Sequence, residues 1–193
     1  MDSFLETRGI LHTDVIENLA QMVRGMLRKL PDVPEVTCAA SLAHHGLLGP
    51  VESMKLHYVD LTSVPEEHLA SLVSCVTRSV YIQHVSQGLV SVLDSVASKE
   101  LYLSGQSLDS DETRALMEAL DTRVEELTLE GGWLTLALVM EALTESSGQG
   151  RCRLIMCYED TAARYRDQLR AWASTRGWGV TQDNEYFVKI QRS

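Results

Sequence analysis

The sequence predicts an α/β chain that stacks strand–helix units into a parallel sheet, and three observations carry that prediction. Five short segments each set two apolar residues around one other residue: Leu56-His57-Tyr58, Val80-Tyr81-Ile82, Leu101-Tyr102-Leu103, Leu127-Thr128-Leu129 and Leu154-Ile155-Met156. Such alternation is a strand signal. The first residues stand at 56, 80, 101, 127 and 154, so the intervals are 24, 21, 26 and 27 residues. Stretches with helical spacing separate the segments, which gives strand–helix order throughout.

Residues 1–50 stand outside the repeat. Asp14-Val15-Ile16-Glu17 opens an amphipathic helix that places Val15, Ile16, Leu19, Met22, Val23, Met26, Leu27 and Leu30 on one broad stripe, and Pro31 and Pro34 end it. A second short helix is expected over 36–44. This region is read as a helical cap over the first repeat, with a partner-binding helix as the alternative. Residues 51–193 form the array. Its first helix opens at Pro65-Glu66-Glu67, where proline suits the first turn and acids suit the dipole, and carries Leu69, Leu72, Val73 and Val76. The second carries Leu89, Val90, Val92, Leu93 and Val96. The third begins at Asp109 with Glu112 three residues on, the spacing of a capping box, and carries Leu116, Met117 and Leu120. A fourth is expected over 136–143. The fifth follows Asp160-Thr161 with Ala163, Tyr165, Leu169 and Trp172. A last alternating segment, Tyr186 to Ile190, closes the sheet, and Trp172 and Trp178 are expected to pack as its terminal cap.

The period falls inside the ~20–29 residues of leucine-rich repeats. Leu101-x-Leu103-x-x-Gln106-x-Leu108 and Leu127-x-Leu129-x-x-Gly132-x-Leu134 share the spacing of that repeat's core, L-x-L-x-x-N/C-x-L. The run from Gly46-Leu47-Leu48-Gly49 through Leu61 and then Pro65 to Leu72 resembles the leucine-rich-repeat regions of fish-type Nod-like receptor proteins. So do Lys99 to Ser104 with Glu112 to Leu116, and Asp160 to Arg166. The resemblance spans roughly residues 45–175. It implies a short solenoid of the ribonuclease-inhibitor type, with a curved parallel sheet on the concave side and helices on the convex side. It also implies a role in protein–protein recognition, in cytosolic innate-immune sensing or its regulation. The nucleotide-binding signature GxxxxGK[ST] of full receptors does not occur in the chain.

Composition narrows the function classes. The chain has 193 residues, with 17 Lys+Arg against 27 Asp+Glu, a net charge of −10. A reader of the phosphate backbone needs a basic face, so nucleic acid is not an expected partner, and an anionic membrane surface is disfavoured for the same reason. The longest apolar stretch, Leu134 to Met140 broken only by Thr135, is far short of the ~20 residues of a spanning helix. Met1-Asp2-Ser3-Phe4-Leu5-Glu6 has acids where a secretory leader carries its basic region, so a cytoplasmic protein is expected. Cys38, Cys75, Cys152 and Cys157 include no CxxC pair and are read as reduced thiols.

No catalytic, metal or cofactor site is expected. His44 and His45 are adjacent and point about 100° apart on a helix, while His12, His57, His68 and His84 are scattered over other elements. No GxSxG elbow occurs, and Ser147-Gly148-Gln149-Gly150 reads as a turn before a strand. Glu126 and Glu130 share a strand face with no evident enclosing pocket. A doubly wound α/β enzyme or small-ligand protein stays as one alternative, with a strand-order switch point as its mark, and a self-assembling structural unit as another.

The positive expectation uses strand alternation. With Leu101 and Leu103 in the core, Glu100, Tyr102 and Ser104 face the concave side. The same phase in each unit gives three rows: Lys55, Ser79, Glu100, Glu126 and Arg153; His57, Tyr81, Tyr102, Thr128 and Ile155; Val59, Gln83, Ser104, Glu130 and Cys157. The predicted partner-binding set is His57, Tyr81, Gln83, Tyr102, Ser104, Thr128, Glu130 and Arg153, with a protein as the partner. Charge is uneven: residues 109–130 hold 2 basic and 8 acidic side chains, residues 151–193 hold 8 basic and 5 acidic. Arg164, Arg166 and Arg170 are read as one solvated face of the last helix.

Overall fold

Among the described residues, seven strands form one sheet in the order β1-β2-β3-β4-β5-β7-β6, with six helices. The computed structural model describes residues 3–192 except 30, 58–59, 86, 106–107, 131–139, 142–151, 153 and 185–186, and describes the backbone alone over 3–14 and 154–165. In chain order the elements are α1 (Ser3–Leu27), α2 (Val33–His44), β1 (Val51–His57), α3 (Glu66–Ser74), β2 (Val76–Gln83), α4 (Leu89–Ser95), β3 (Glu100–Ser104), α5 (Ser110–Thr122), β4 (Glu126–Glu130), β5 (Leu154–Tyr158), α6 (Glu159–Thr175), β6 (Trp178–Asp183) and β7 (Phe187–Arg192). Strands β1 to β5 are parallel and lie in chain order. A doubly wound sheet reverses its order where it binds ligand, and β1 to β5 contain no such reversal. Helices α2, α3, α4 and α5 pack each against the next. The fold is thus mixed α/β, with the sheet starting at Val51, where the array is expected to begin.

Two aligned rows of side chains tie sheet to helices. Met54, Val80, Leu101 and Leu127 stand in register, and so do Leu56, Ile82, Leu103 and Leu129. All eight are buried, in one continuous core with Leu69, Leu72, Leu93 and Leu116 from the helices. Burying a Leu- or Ile-sized side chain contributes roughly 1.5–3 kcal/mol, so each member of these rows is a substantial contributor to the stability. The expected phase holds for β2, β3 and β4. It is corrected in β1, where Met54 rather than Leu56 stands opposite Val80. It is also corrected in β5, where Ile155 stands opposite Leu127 and Leu154 opposite Glu126. Residues 154–158 are apolar throughout, so alternation alone could not choose a phase there. The antiparallel partner chooses it: Ile155 pairs with Ile190 and Cys157 with Val188, and Ile190 and Val188 are fully buried.

The ends also differ from expectation. Helix α1 starts well before Asp14. Its buried stripe is Ala20, Val23 and Leu27, while Val15 and Met22, placed on the expected stripe, are 63% and 53% exposed. Pro34 opens α2 instead of ending α1: Asp32 accepts from the Glu35 N–H at 3.0 Å, and the Glu35 carboxylate accepts from the Asp32 N–H at 3.0 Å. Proline is well placed there because its missing N–H is not needed in a first turn. Trp178 is buried, as expected of a cap, but it opens β6, a strand the sequence reading missed. Arg166 and Arg170 are not simply solvated: both pair with Asp183 of β6, which is 14% exposed, Arg166 Nε lying 3.1 Å from Oδ1. The Arg164 side chain, the helix expected over 136–143 apart from residues 140–141, and Trp133 lie outside what is described.

The helix expected to begin at Asp109 does so. Asp109 accepts from the N–H groups of Asp111 and Glu112 at 2.9 Å each, and the Glu112 carboxylate accepts from the Asp109 N–H at 3.0 Å. Asp109→Ala strips this box from a helix that buries Ala115, Leu116, Ala119 and Leu120. A loss of about 1 kcal/mol in unfolding free energy is expected, read from the urea midpoint.

Candidate functional site

The face of the sheet opposite the helices carries the longest run of aligned polar and aromatic side chains. Its register gives Ser53, Ser79, Glu100 and Glu126 as one row, Lys55, Tyr81, Tyr102 and Thr128 as the next, and His57, Gln83, Ser104 and Glu130 as the third. Parallel strands hold such neighbours about 4.8 Å apart, close enough for rings to touch. Tyr81 and Tyr102 do so, with centroids 5.3 Å apart and planes tilted by 36°. Offset geometry of this kind is the favourable one for aromatic pairs. Lys55 Nζ lies 5.4 Å from the Tyr81 centroid, within cation–π range. The Tyr102 hydroxyl donates to the Glu130 carboxylate on the neighbouring strand, so the ring is anchored at its polar end.

Alternating large and small residues shape this face. Ser79 and Thr128 flank the tyrosines and are buried. The result is a shallow depression of about 220 Å³ lined by Ser79, Tyr81, Glu100, Tyr102, Glu126 and Thr128. A second hollow of about 450 Å³ continues from it towards β1, sharing Ser79, Tyr81 and Glu100 and adding Lys55, Arg28 and Glu52. A chain of ion pairs runs along this end: Arg28 to Glu52 at 3.2 Å, Glu52 to Arg78 at 3.5 Å and Arg78 to Glu100 at 3.2 Å. The Glu100 hydrogen bond, followed by the charges of Glu100 and Glu52, raises the Arg78 pKa further above its usual value. These groups are exposed, so they orient charge more than they stabilise the fold. The cations Lys55 and Arg78 lie on β1 and β2 with Glu52 between the arginines, whereas β3 and β4 present the carboxylates Glu100, Glu126 and Glu130.

Of the predicted set, Tyr81, Tyr102, Gln83, His57 and Glu130 occupy this face. Tyr81 is 36% exposed. His57 stands beside Gln83, not beside Tyr81 as expected, because β1 is aligned two residues away from the expected phase. Ser104 and Thr128 are placed in the right rows but are buried, which corrects their reading as contact residues. Short side chains between tyrosines and glutamates are covered by them. Arg153 lies outside the described residues. The sequence reading missed Lys55 as the neighbour of Tyr81, and Arg28, which reaches the site from beyond the end of α1. Aligning Met54 rather than Leu56 with Val80 would have found the first; nothing in the pattern signals the second.

The histidines are less scattered than expected. His57 and His84 come within 6.3 Å between ring centroids. His68 lies against His44, with ring centroids 4.2 Å apart. Cys38 and Cys75 are free thiols, and burial pushes the Cys75 thiol pKa up. Among the described residues no helix is long and apolar enough to cross a membrane. Comparison of the chain with protein-family models, curated proteins and solved structures finds no match.

Proposed function

We propose that the chain is a protein-recognition module that binds its partner on the sheet face carrying Tyr81 and Tyr102, as a short leucine-rich-repeat array does on its concave side. The chain order of the parallel strands and the spacing of their core rows support the repeat reading, since Met54, Val80, Leu101 and Leu127 recur every 26, 21 and 26 residues. The observation that carries the binding reading is the exposed Tyr81 ring held between Lys55 and Tyr102. Paired, pre-ordered tyrosines bind with little loss of side-chain freedom, and such residues are enriched at the energetic centres of interfaces. Glu100, Glu126 and Glu130 beside them favour a partner segment with a lysine or arginine next to an apolar or aromatic residue. A cytosolic setting fits the free thiols of Cys38 and Cys75. The innate-immune context, in sensing or its regulation, rests on the resemblance of the repeat segments.

The test is a Tyr81→Ala/Tyr102→Ala double substitution, compared with wild type in partner capture and then in titration against the captured protein. Loss of about 2 kcal/mol or more, roughly 30-fold in Kd, is expected while the far-ultraviolet circular dichroism stays unchanged. A folded double variant that keeps full affinity would remove this face as the binding site.

A further inference from the structure

A second cluster lies away from the sheet face, where α2 meets α3. Ala39, Ala40 and Ala43 are buried on α2, and Leu69, Leu72 and Val73 on α3. The small alanines let the two helices approach closely, and that approach brings the last residue of α2, His44, over the first turn of α3. Capping fixes both ends: the His45 N–H donates to the Ser41 carbonyl at 3.1 Å, and the His68 N–H to the Pro65 carbonyl at 3.0 Å. The His44 and His68 rings stack at 4.2 Å with planes 27° apart. Ligand atoms of His44, Glu67 and His68 all lie within 4.8 Å of one another.

We propose that His44, Glu67 and His68 form a site for a divalent transition-metal ion of the zinc type, which clamps α2 to α3. Two imidazoles and one carboxylate make a donor set suited to Zn²⁺, which takes nitrogen and oxygen ligands at about 2.0–2.2 Å. Such bonds in a tetrahedron set ligand atoms roughly 3.3–3.6 Å apart. His44 and Glu67 are exposed and His68 is half-buried, so side-chain rotation closes the remaining distance without disturbing the core. The partial negative charge at the C-terminal end of α2 favours a cation beside His44. The α3 N-terminus opposes it, and the acids Glu66 and Glu67 in its first turn offset that field. Three protein ligands leave a fourth position for water. His45 sits edge-on to His44 at 5.3 Å but stands outside the three-residue set. Because the ligands come from both helices, binding ties the N-terminal helices to the array.

The experiment is titration of the full chain with Zn²⁺ by calorimetry, with thermal unfolding in parallel. One ion per chain is expected, and a free Zn²⁺ concentration about 100 times Kd should raise Tm by roughly 5–10 °C. Losing even an outer-shell partner costs roughly 10–100-fold in metal affinity. His44→Asn, Glu67→Gln and His68→Asn should therefore each weaken binding at least tenfold, while His45→Asn leaves it unchanged. These positions are at the surface, and circular dichroism verifies that the variants fold. Binding that survives the His44→Asn/His68→Asn double change would overturn the site, as would absence of stoichiometric binding. A thiolate charge-transfer band in the Co²⁺-loaded chain would assign the ion to a cysteine and overturn it equally.

Discussion

Leu103→Ala is expected to lower the unfolding free energy by about 3–5 kcal/mol, a large part of what a chain of this size commands. Leu103 is fully buried at the middle of the sheet, with Ile82 in register on one side and Leu129 on the other, both buried. Truncation removes contacts with both neighbours at once. Two hydrogen-bonded strands flank β3, and their ladders resist the inward movement that would refill the space. The cost should therefore fall in the upper part of the range seen for leucine-to-alanine changes, where the cavity persists. Leu103→Met keeps the volume and should cost less than about 1.5 kcal/mol. Urea denaturation of the two variants separates lost volume from lost shape: the alanine variant should shift the midpoint strongly with an unchanged slope. An alanine variant within 1 kcal/mol of wild type would mean that the core rows tolerate a void. The aligned rows would then contribute less to stability than their burial implies.

How much of this was legible depended on whether one residue pattern admitted one register. Leu101-Tyr102-Leu103 and Leu127-Thr128-Leu129 alternate cleanly, and their pairing matches expectation row for row. Around β1 the pattern is ambiguous, because Met54-Lys55-Leu56 and Leu56-His57-Tyr58 both alternate. A two-residue slip preserves the face, so the same side stays buried, yet it changes which side chain stands beside Tyr81. That slip moved His57 one row along and hid Lys55. In β5 the apolar run carries no phase, and the deciding information sits in β7, more than thirty residues later in the chain. The α2–α3 histidine cluster was illegible for a related reason. His44 and His68 are 24 residues apart, and only the close helix packing allowed by Ala39, Ala40 and Ala43 brings them together. Local spacing rules detect ligands on one helix, not ligands shared by two. Capping, by contrast, is local chemistry: Asp109 with Glu112 was readable, and the equivalent Asp32 with Glu35 was equally present in the sequence but overshadowed by the neighbouring prolines.

Gly88→Ala is expected to cost about 2–5 kcal/mol, although it adds only one methyl group. Gly88 precedes α4 at φ +83°, in the left-handed region, where an alanine loses roughly 1–2 kcal/mol. A Cβ there would also lie 2.8 Å from Leu61 Cβ. Leu61 is itself buried, and its N–H donates to the Gln87 carbonyl at 3.2 Å, next to the bridge between Asp60 and Gln87. The contact is therefore with the root of a side chain on a tethered turn, and the turns after β1 and β2 would have to move apart. Gly105 offers a contrasting case: its φ is +63°, but the atoms facing an added Cβ belong to the His84 imidazole, the far end of a side chain and not its root. Gly88→Asn divides the two terms at Gly88, because asparagine accepts the left-handed conformation more readily while carrying the same Cβ. If packing against Leu61 dominates, the asparagine variant should stay within about 1 kcal/mol of the alanine variant. Recovery of near-wild-type stability by asparagine would place the cost in the backbone alone. That result would show that the two stacked turns separate easily, and that the spacing between the first two strand–helix units is not set at this glycine.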